Sequence, residues 1–523
     1  MSMNTEVFRS FQSWFFYLPV SLLDLFLRRS YWKAFLMDRR PNYCGRLLSA
    51  VVLVAFGSNA STNVCLAAVS QETETATESN LNSAEPVLKT PNESVLLATP
   101  FEFPLLNDNP SEPLDTQILE ANYQKPAASK SSPTYPNVQL HGFFQADTGW
   151  FGQDAVNKAS LAAINGVPNG DLQDGADFRR ARLSAGGDVA ENIGYFMEYD
   201  FAFPGRPSFM DNIVDLRSFV GDSTFRLGYW RQPFSMDALT SVKDLTFFER
   251  ALPFTFVPFR QAGIGIYDGT EKGDYTWALS AIRFPTDFYG GNVGDNGGYG
   301  TVGRLTAVPW ADDDDQRLLH VGGAYTFADP ASDIIRYRAF PEFAVVENNL
   351  PADIVPPGVP NLTLPFADTG NISAQNVQLF GGELALVYRS LYIQSEAIYS
   401  HVDQIAGPTV DFWGAYARAG YFLTGEVRPY NRKAGVLGTV TPLCPFGTCT
   451  GSGAWELAAQ WSAIDLNDQN IAGGRMNNVT AGLNWYLNKN FKFQFGHIHV
   501  FLNSPGFGDS DADITAARAQ VVF

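Results

Sequence analysis

The sequence predicts an all-β protein, a transmembrane antiparallel β-barrel of about 16 strands. Three observations predict it. From residue 137 onward, segments of about eight to thirteen residues alternate apolar and polar side chains, separated by clusters of Gly, Asn, Asp and Pro. Short and long connections alternate between these segments. Mean hydropathy is −0.09 although 45% of the residues are hydrophobic, as expected where the two kinds of side chain alternate.

The first 68 residues are predicted to be a signal-peptide region. Basic residues precede an apolar stretch at 47–56, and small residues follow near Ala67. The apolar stretch holds about ten residues, which is too few to span a bilayer. We expect Met37 to be the true translation start, with the residues before it added by the gene model.

Residues 69–136 are predicted to form a disordered, low-complexity tail on the periplasmic side. They are rich in Glu, Thr, Ser, Asn and Pro and show little periodicity. Low hydrophobicity together with excess acidic charge disfavours a packed core. The remaining residues, 137–523, are predicted to form one barrel domain.

The first predicted strand illustrates the alternation. Val138, Leu140, Phe144 and Trp150 share one face, and Asp147 lies on the other. A soluble β-sandwich or a solenoid is the alternative to a barrel, but no fixed repeat period suggests a solenoid. A sandwich does not need an outward face this apolar on so many strands, so we predict a barrel in contact with lipid.

The last predicted strand ends at the carboxyl terminus, in ADITAARAQVVF. Phe523, Val521 and Ala519 share one face. A terminal aromatic residue after alternate apolar residues resembles the signal that the outer-membrane assembly machinery reads. We therefore predict the cell outer membrane as the location, with its lipid as one partner and the assembly machinery as another through Phe523.

Connection lengths also favour an outer-membrane barrel. The long connections are predicted at 152–177, 284–300, 328–374 and 502–512, and a short one at 389–390. Short turns at one end and long loops at the other are typical of outer-membrane barrels. A barrel of about sixteen strands leaves an aqueous lumen, so we predict a channel for the passive diffusion of small solutes.

Arginine outnumbers lysine in 137–523, twenty to six. Guanidinium groups keep their charge and bind phosphate and carboxylate with two hydrogen bonds. The arginines predicted on lumen faces are Arg180, Arg182, Arg217, Arg226, Arg418 and Arg518. If they face an open lumen, the channel prefers anions. The alternative is that each arginine pairs with a lumen acid and only stiffens the wall.

Other functional classes find less support. A formal net charge of −18 argues against a nucleic-acid-binding protein. No GxSxG motif or phosphate-binding glycine loop favours an enzyme. His497 and His499 share a strand face but have no carboxylate near them in sequence, so we predict no metal site, no cofactor and no catalytic residues. An adhesive role for the long loops is a further alternative.

Two cysteines lie in the predicted barrel. Cys444 and Cys449 are separated by four residues in CPFGTC, with Pro and Gly between them. This spacing suits a small loop disulfide in an oxidising compartment. The alternative, a metal or redox pair, lacks neighbouring histidines.

The stretch RLGYWRQPFSMDALTSVKDLTFFERAL, residues 226–252, resembles the phosphate-selective porin O/P family. The shared pattern has Gly228, Arg231, Pro233 and Phe234, followed by LTS and FxERAL. FRRARL, RYRAFPEF and AGYFLTGEVRPY also resemble family segments, in the same order along the chain.

The resemblance implies a sixteen-stranded outer-membrane barrel that forms a homotrimer. It also implies an arginine ladder that attracts phosphate-like anions, to which we assign Arg179, Arg180 and Arg182 and add Arg231. Arg179 is out of phase with its neighbours, which indicates a bulge or a lost contact. With only six lysines in 137–523, the family's lysine cluster is reduced. A general, non-selective porin is therefore the alternative function.

Overall fold

The computed structural model describes residues 134–202, 207–287, 290–291, 297–345, 363–448 and 451–523. The predicted signal-peptide region lies outside the described residues, and so does the predicted tail up to residue 133. Among the described residues, no helix has both the length and the apolar character needed to cross a membrane.

Sixteen antiparallel strands of the described residues form one closed barrel, which confirms the predicted fold class. The strands are β1 (Gln139–Gln153), β2 (Gly175–Ala190), β3 (Ile193–Asp200), β4 (Ser208–Leu216), β5 (Thr224–Arg231), β6 (Arg260–Gly269), β7 (Tyr275–Arg283), β8 (Tyr299–Ala311), β9 (Arg317–Asp329), β10 (Ile372–Tyr388), β11 (Leu391–Gln404), β12 (Val410–Phe422), β13 (Ala454–Asp468), β14 (Ile471–Asn488), β15 (Phe491–Ser504) and β16 (Gly508–Val522).

The sheet closes because its first and last strands pair. Phe144 of β1 lies opposite Val521 of β16, and β1 also pairs with β2. Backbone hydrogen bonds of 2.8 and 2.9 Å between Gly142 and Phe523 extend this ladder to the last residue. Closure leaves no free edge, so every spanning strand satisfies its backbone groups within the sheet.

Side chains alternate between the outer and inner faces of the barrel, as the period of two predicts. Leu183, Leu384 and Trp413 are exposed on the outer face, whereas Asp147 and Arg518 are buried on the inner face. The outer face is therefore largely suited to lipid, and buried ionisable side chains such as those of Asp147 and Arg518 are directed into the lumen.

The two ends of the barrel have different connections. We call one the short-turn end; its turns include 191–192, 217–223, 270–274, 312–316, 389–390 and 489–490. The other is the long-loop end, with long connections at 154–174, 232–259, 284–298 and 330–371.

Two connections depart from the predicted pattern. The prediction of a long loop at 502–512 is wrong. The strand β15 extends to Ser504 and β16 begins at Gly508, so only a turn of three residues, 505–507, connects them. Conversely, 423–453 is a long connection at the short-turn end.

Three connections fold into the barrel. The inner loop is 232–259, with helix α2 (Met236–Leu239) and a 3₁₀ turn (Leu252–Phe256). The second inner segment comprises 330–345 and 363–371, with a 3₁₀ turn (Ala331–Asp333) and the short strands Ile334–Ile335, Arg338–Ala339 and Ala367–Asp368. The third comprises 423–448 and 451–453, with the strands Tyr430–Asn431 and Val436–Leu437.

The inner wall is not polar along its whole length. Near the long-loop end, Phe343 and Phe366 of the second inner segment belong to an apolar cluster with Ile514 of the wall. Near the short-turn end, Val436 of the third inner segment packs in a second cluster with Tyr392. Inner segments need apolar wall residues to pack against, so the charged part of the wall lies between these clusters.

Helix α1 (Ala155–Asn165) lies in the first long loop. Asp154 Oδ1 accepts a hydrogen bond from the backbone N of Asn157 at 2.6 Å and caps its first turn. Gly166 ends the helix with φ of +63°, a conformation that favours glycine. The helix buries Leu161 fully in the cluster at the long-loop end.

Candidate functional site

The inner loop enters the lumen directly after β5 and buries apolar side chains there. Phe234 and Met236 are 0% exposed and Phe248 is 2% exposed. Ser235 Oγ accepts a hydrogen bond from the backbone N of Ala238 at 3.2 Å and caps α2. Burial of one large apolar side chain stabilises the fold by about 1.5–3 kcal/mol. These residues therefore hold the loop inside the barrel.

Polar side chains of the distant wall bind the backbone of the inner loop. Gln145 of β1 donates to the carbonyl of Val242 at 3.1 Å, and Asn484 of β14 donates to the carbonyl of Thr246 at 2.9 Å. Glu396 of β11 accepts hydrogen bonds from two backbone N–H groups of α2, at 3.0 and 2.7 Å. The loop therefore crosses the lumen and narrows the passage.

Glu249 of the inner loop is the centre of a charge cluster. Its carboxylate lies 2.9 Å from Arg179 Nε, 2.6 Å from Arg180 Nη2 and 3.5 Å from Arg518 Nη2. Burial alone would raise the pKa of Glu249, but the three guanidinium groups hold that pKa well below its usual range. Arginines of β2 and β16 thus fix one loop carboxylate in its charged form.

Arg179 reaches this cluster because β2 contains a β-bulge. Gln145 pairs with Arg180, and the next residue, Ala146, pairs with Phe178, so Arg179 is the additional residue. The bulge anticipated from the sequence phase is present. Two arginines that are adjacent in sequence therefore contact the same carboxylate.

Every predicted ladder arginine pairs with a carboxylate. Arg518 binds Asp147 through Nε and Nη2, both at 2.6 Å, and Arg226 binds Asp215 in the same manner at 2.7 Å. The further pairs are Arg182 with Asp200 (2.7 Å) and Glu198 (3.2 Å), Arg231 with Asp211 (3.3 Å), Arg418 with Asp237 (2.9 Å), and Arg217 with Asp188. This arrangement is the one expected of arginines that stiffen the wall.

Arg217 does not lie on a lumen-facing strand, contrary to the sequence prediction. The strand β4 ends at Leu216, and Arg217 begins the turn at the short-turn end. Its guanidinium also donates to the carbonyl of Glu191 in the neighbouring turn at 3.3 Å. Ser218, which follows it, has φ of +53°, so the backbone leaves the strand conformation at this point.

Several further arginines inside the barrel were not predicted, among them Arg260, Arg428, Arg304 and Arg250. Arg304 of β8 donates to Glu383 at 2.7 Å and to the carbonyls of Ala434 and Gly435 at 2.9 and 2.8 Å. The alternation of side chains along β8 places Arg304 on the inner face, so its position could have been predicted from the sequence. Arg250 of the inner loop donates to three backbone carbonyls at 2.8–3.0 Å, and its segment has no periodicity that could reveal this.

A cavity of about 150 Å³ lies in the lumen between strands β5–β8 and the inner segments. Arg226, Arg231 and Arg304 line it from the wall, and Lys433 lines it from the third inner segment. Four basic side chains from three elements therefore meet at one space, which Asp222, Asp268 and Glu271 also line.

Arg226 lines this cavity and keeps one nitrogen that no described residue binds. It is 5% exposed, and its Nε and Nη2 bind Asp215, while Nη2 also donates to the Tyr267 hydroxyl at 2.9 Å. No described residue accepts a hydrogen bond from Nη1. The two N–H groups of Nη1 are thus available to a solute.

The scarce lysines are concentrated at the short-turn end. Lys243, Lys489 and Lys492 line a recess of about 30 Å³ together with Asp244. Burial raises the pKa of the Asp244 carboxyl, although Arg428 and Lys243 oppose the shift. Half of the lysines in 137–523 therefore meet near one mouth of the barrel.

His497 and His499 lie on the outer face of β15. Asp513 of β16 is 3.2 Å from His497 Nε2 and 2.8 Å from His499 Nδ1. The carboxylate comes from the neighbouring strand, which is why its proximity was not visible along the sequence. In the part of the chain that the structure describes, no three His, Cys, Asp or Glu side chains are arranged to hold a metal ion.

The predicted disulfide remains a prediction. Cys444 is exposed in the third inner segment. Cys449 lies outside the described residues.

A closed sixteen-stranded barrel with a loop across a charged lumen defines a β-barrel channel protein. Residues 157–523 match the family described as "Phosphate-selective porin O and P", and the chain belongs to this family. It is therefore a porin of the outer membrane and not an enzyme.

Two curated proteins are similar to the chain. An uncharacterized protein of Caulobacter vibrioides is 27% identical over 511 residues, which cover 91% of this chain and 95% of that protein. Porin O of Pseudomonas aeruginosa is 22% identical over 381 residues, which cover 68% of this chain and 84% of Porin O.

Solved outer-membrane proteins are similar at lower identity. The trimer form of OmpT of Vibrio cholerae aligns with a TM-score of 0.43 and 10% identity, covering 74% of this chain and 99% of OmpT. The outer membrane channel DcaP of Acinetobacter baumannii aligns with a TM-score of 0.42 and 10% identity, covering 74% of this chain and 97% of DcaP.

Proposed function

We propose that this porin passes small solutes by passive diffusion and prefers anions, phosphate or polyphosphate-like anions among them. The observation that carries the proposal is the lumen cavity at which Arg226, Arg231, Arg304 and Lys433 meet. Guanidinium groups bind phosphate and carboxylate, and basic groups along a constriction favour anions over cations. The family name supports the same ligand class.

A general, non-selective porin is the second candidate function. The ion pairs favour it, because carboxylates within about 3.3 Å compensate the predicted arginines. The two candidates differ in what the cavity-lining cations do. In an anion-preferring channel they attract the permeating ion, whereas in a non-selective channel they only support the wall.

Recording from single channels in a planar bilayer across a KCl gradient separates the candidates. We expect chloride to be more permeant than potassium. Arg226→Gln should lower the permeability ratio of chloride to potassium about threefold, since one charge about 6 Å from the permeating ion contributes about 0.7 kcal/mol in water. The matched control is Arg475→Gln, because Arg475 pairs with Asp465 and its side chain is 57% exposed.

Each outcome decides between the candidates. An unchanged ratio in Arg226→Gln would assign Arg226 to wall stiffening and favour the non-selective porin. A native channel that prefers potassium would contradict the anion proposal outright. A change in Arg475→Gln equal to that in Arg226→Gln would show that the effect is not local to the cavity.

We also propose the partners that family membership implies. The exposed apolar outer face contacts outer-membrane lipid, and the barrel assembles as a homotrimer. Phe523 is 61% exposed at the end of the last ladder, where the assembly machinery can bind it.

A further inference from the structure

We infer that three apolar residues at the short-turn end, Leu423, Leu443 and Phe446, insert into the phospholipid of the periplasmic leaflet and anchor the third inner segment there. We call these residues the rim patch. The inference needs only an outer-membrane barrel, which family membership supplies, and it does not depend on the proposed anion preference.

The rim patch is apolar and open on its outer side. Leu443, Leu423 and Phe446 are 69%, 55% and 53% exposed. All three lie in the connection between β12 and β13, where strand alternation does not force a side chain outward. Contiguous exposed apolar residues mark a surface that contacts a membrane or another protein. The rim patch therefore requires an apolar partner.

Phe446 holds the rim patch against the outer surface of the barrel. Its ring centroid lies 5.6 Å from that of Trp485 in β14, and its backbone N donates to the carbonyl of Leu487 at 2.7 Å. Asn484 and Tyr486 flank Trp485 and are buried on the inner face, so Trp485 is on the outer face. The tip of the third inner segment thus turns out of the barrel and lies on the side that faces lipid.

The surroundings of this contact indicate that the partner is lipid. Trp455 stacks on Trp485 with ring centroids 4.9 Å apart, and Phe493 lies 5.8 Å from Trp485. These aromatic residues are near strand ends at the short-turn end, which faces the periplasm in outer-membrane barrels, and they resemble the aromatic girdle at a membrane interface. Lys489 is exposed in the adjoining turn, where an ammonium group can reach lipid phosphate. The rim patch is therefore continuous with the surface that contacts lipid.

The anchor has a consequence for the lumen, because the same segment reaches the lumen cavity. Lys433 lines that cavity, and Arg304 donates to the carbonyls of Ala434 and Gly435 at 2.9 and 2.8 Å. One part of the third inner segment is thus fixed to the barrel wall from inside. Insertion of Leu443 into lipid fixes the other part from outside.

Spin labels measure whether the rim patch is in lipid. The barrel, with its four cysteines replaced by serine, is folded in vesicles of phosphatidylethanolamine and phosphatidylglycerol and labelled at Leu443→Cys. Electron paramagnetic resonance then compares collisions with oxygen, which concentrates in lipid, and with a polar nickel chelate, which stays in water. The aqueous reference is Asp314→Cys, exposed in the 312–316 turn at the same end, and the lipid reference is Leu457→Cys, on the outer face of β13.

We expect the ratio of oxygen to chelate collisions at 443 to be about fivefold higher than at 314, because hydrocarbon excludes a polar chelate, and to be close to the ratio at 457. A ratio at 443 equal to that at 314 would place the rim patch in water and overturn the inference. Protection of 443 from both reagents would also overturn it, since another protein or a second copy of this chain would then cover the patch.

Phe446→Ser tests whether the contact with Trp485 holds the rim patch in lipid. The collision ratio at 443 should fall towards that at 314. Phe507→Ser, an exposed phenylalanine in the 505–507 turn at the opposite end, is the matched control and should leave the ratio unchanged. If Phe446→Ser does not give a heat-modifiable barrel, Trp485→Leu removes the same contact from the wall side. An unchanged ratio in the variant that folds would contradict the anchoring role of this contact.

Discussion

Replacement of Glu249 by Gln is the perturbation that tests most directly what holds the inner loop in the lumen. Glu249 is the carboxylate that Arg179, Arg180 and Arg518 share, at 2.9, 2.6 and 3.5 Å. The amide keeps the shape of the side chain and removes its charge. The guanidinium groups are then left buried with less compensation.

The expected decrease in the free energy of unfolding depends on which of the three arginines keep another partner. Breaking a buried charge pair from one side costs about 3–5 kcal/mol. Arg518 retains Asp147 at 2.6 Å and Arg180 retains Gln145 at 2.8 Å, whereas Arg179 has no other ion pair among the described residues. We therefore expect the lower end of that range, about 3 kcal/mol.

Equilibrium unfolding in urea, with the barrel folded in lipid vesicles, measures this loss. The control is Asp171→Asn, because Asp171 and its partner Lys158 have side chains that are 45% and 40% exposed, and we expect a loss below about 1 kcal/mol there. Single-channel recording of Glu249→Gln should also show greater current noise, because the loop is less firmly held. A free energy of unfolding equal to that of the native protein would refute the assigned role of Glu249.

Three further predictions concern pH, packing and the disulfide. Because the pKa of folded Glu249 is below its unfolded value of 4.5, its stabilisation is complete above pH 4.5 and declines as the pH falls further; urea titrations should show this decline in the native protein and a smaller one in Glu249→Gln. Gly420→Val should cost about 1–3 kcal/mol, since a Cβ would lie 2.3 Å from the Tyr392 ring, whereas Gly382→Ala, with no atom within 4 Å, should unfold like the native protein. Thiol titration of the unfolded mature protein should detect no free Cys444 before reduction; a free thiol would contradict the disulfide.

The side chains that face the lumen could be predicted, because side chains alternate between the two faces of a barrel strand. Asp147, Arg180 and Arg518 all face the lumen, as their phase in the sequence indicated. The same rule applied to β8 would have identified Arg304. Family resemblance and alternation therefore sufficed for the wall and for the inward direction of its charges.

The partners of those charges could not be predicted, because they depend on strand register and on loops that return to the wall. Arg518 and Asp147 bind each other across 371 residues of sequence. Glu249 lies in a segment without periodicity, and only its packing inside the barrel brings it to Arg180. The third inner segment, at the short-turn end, could not be predicted either, because the length of a connection does not show whether it folds into the barrel.

The central claim, that the lumen prefers anions although its arginines are paired, is tested most directly by the zero-current potential of the native channel in a tenfold KCl gradient. Chloride that crosses faster than potassium makes the dilute side negative, and this is the result that we expect. A dilute side that becomes positive would mean that potassium crosses faster and would contradict the claim.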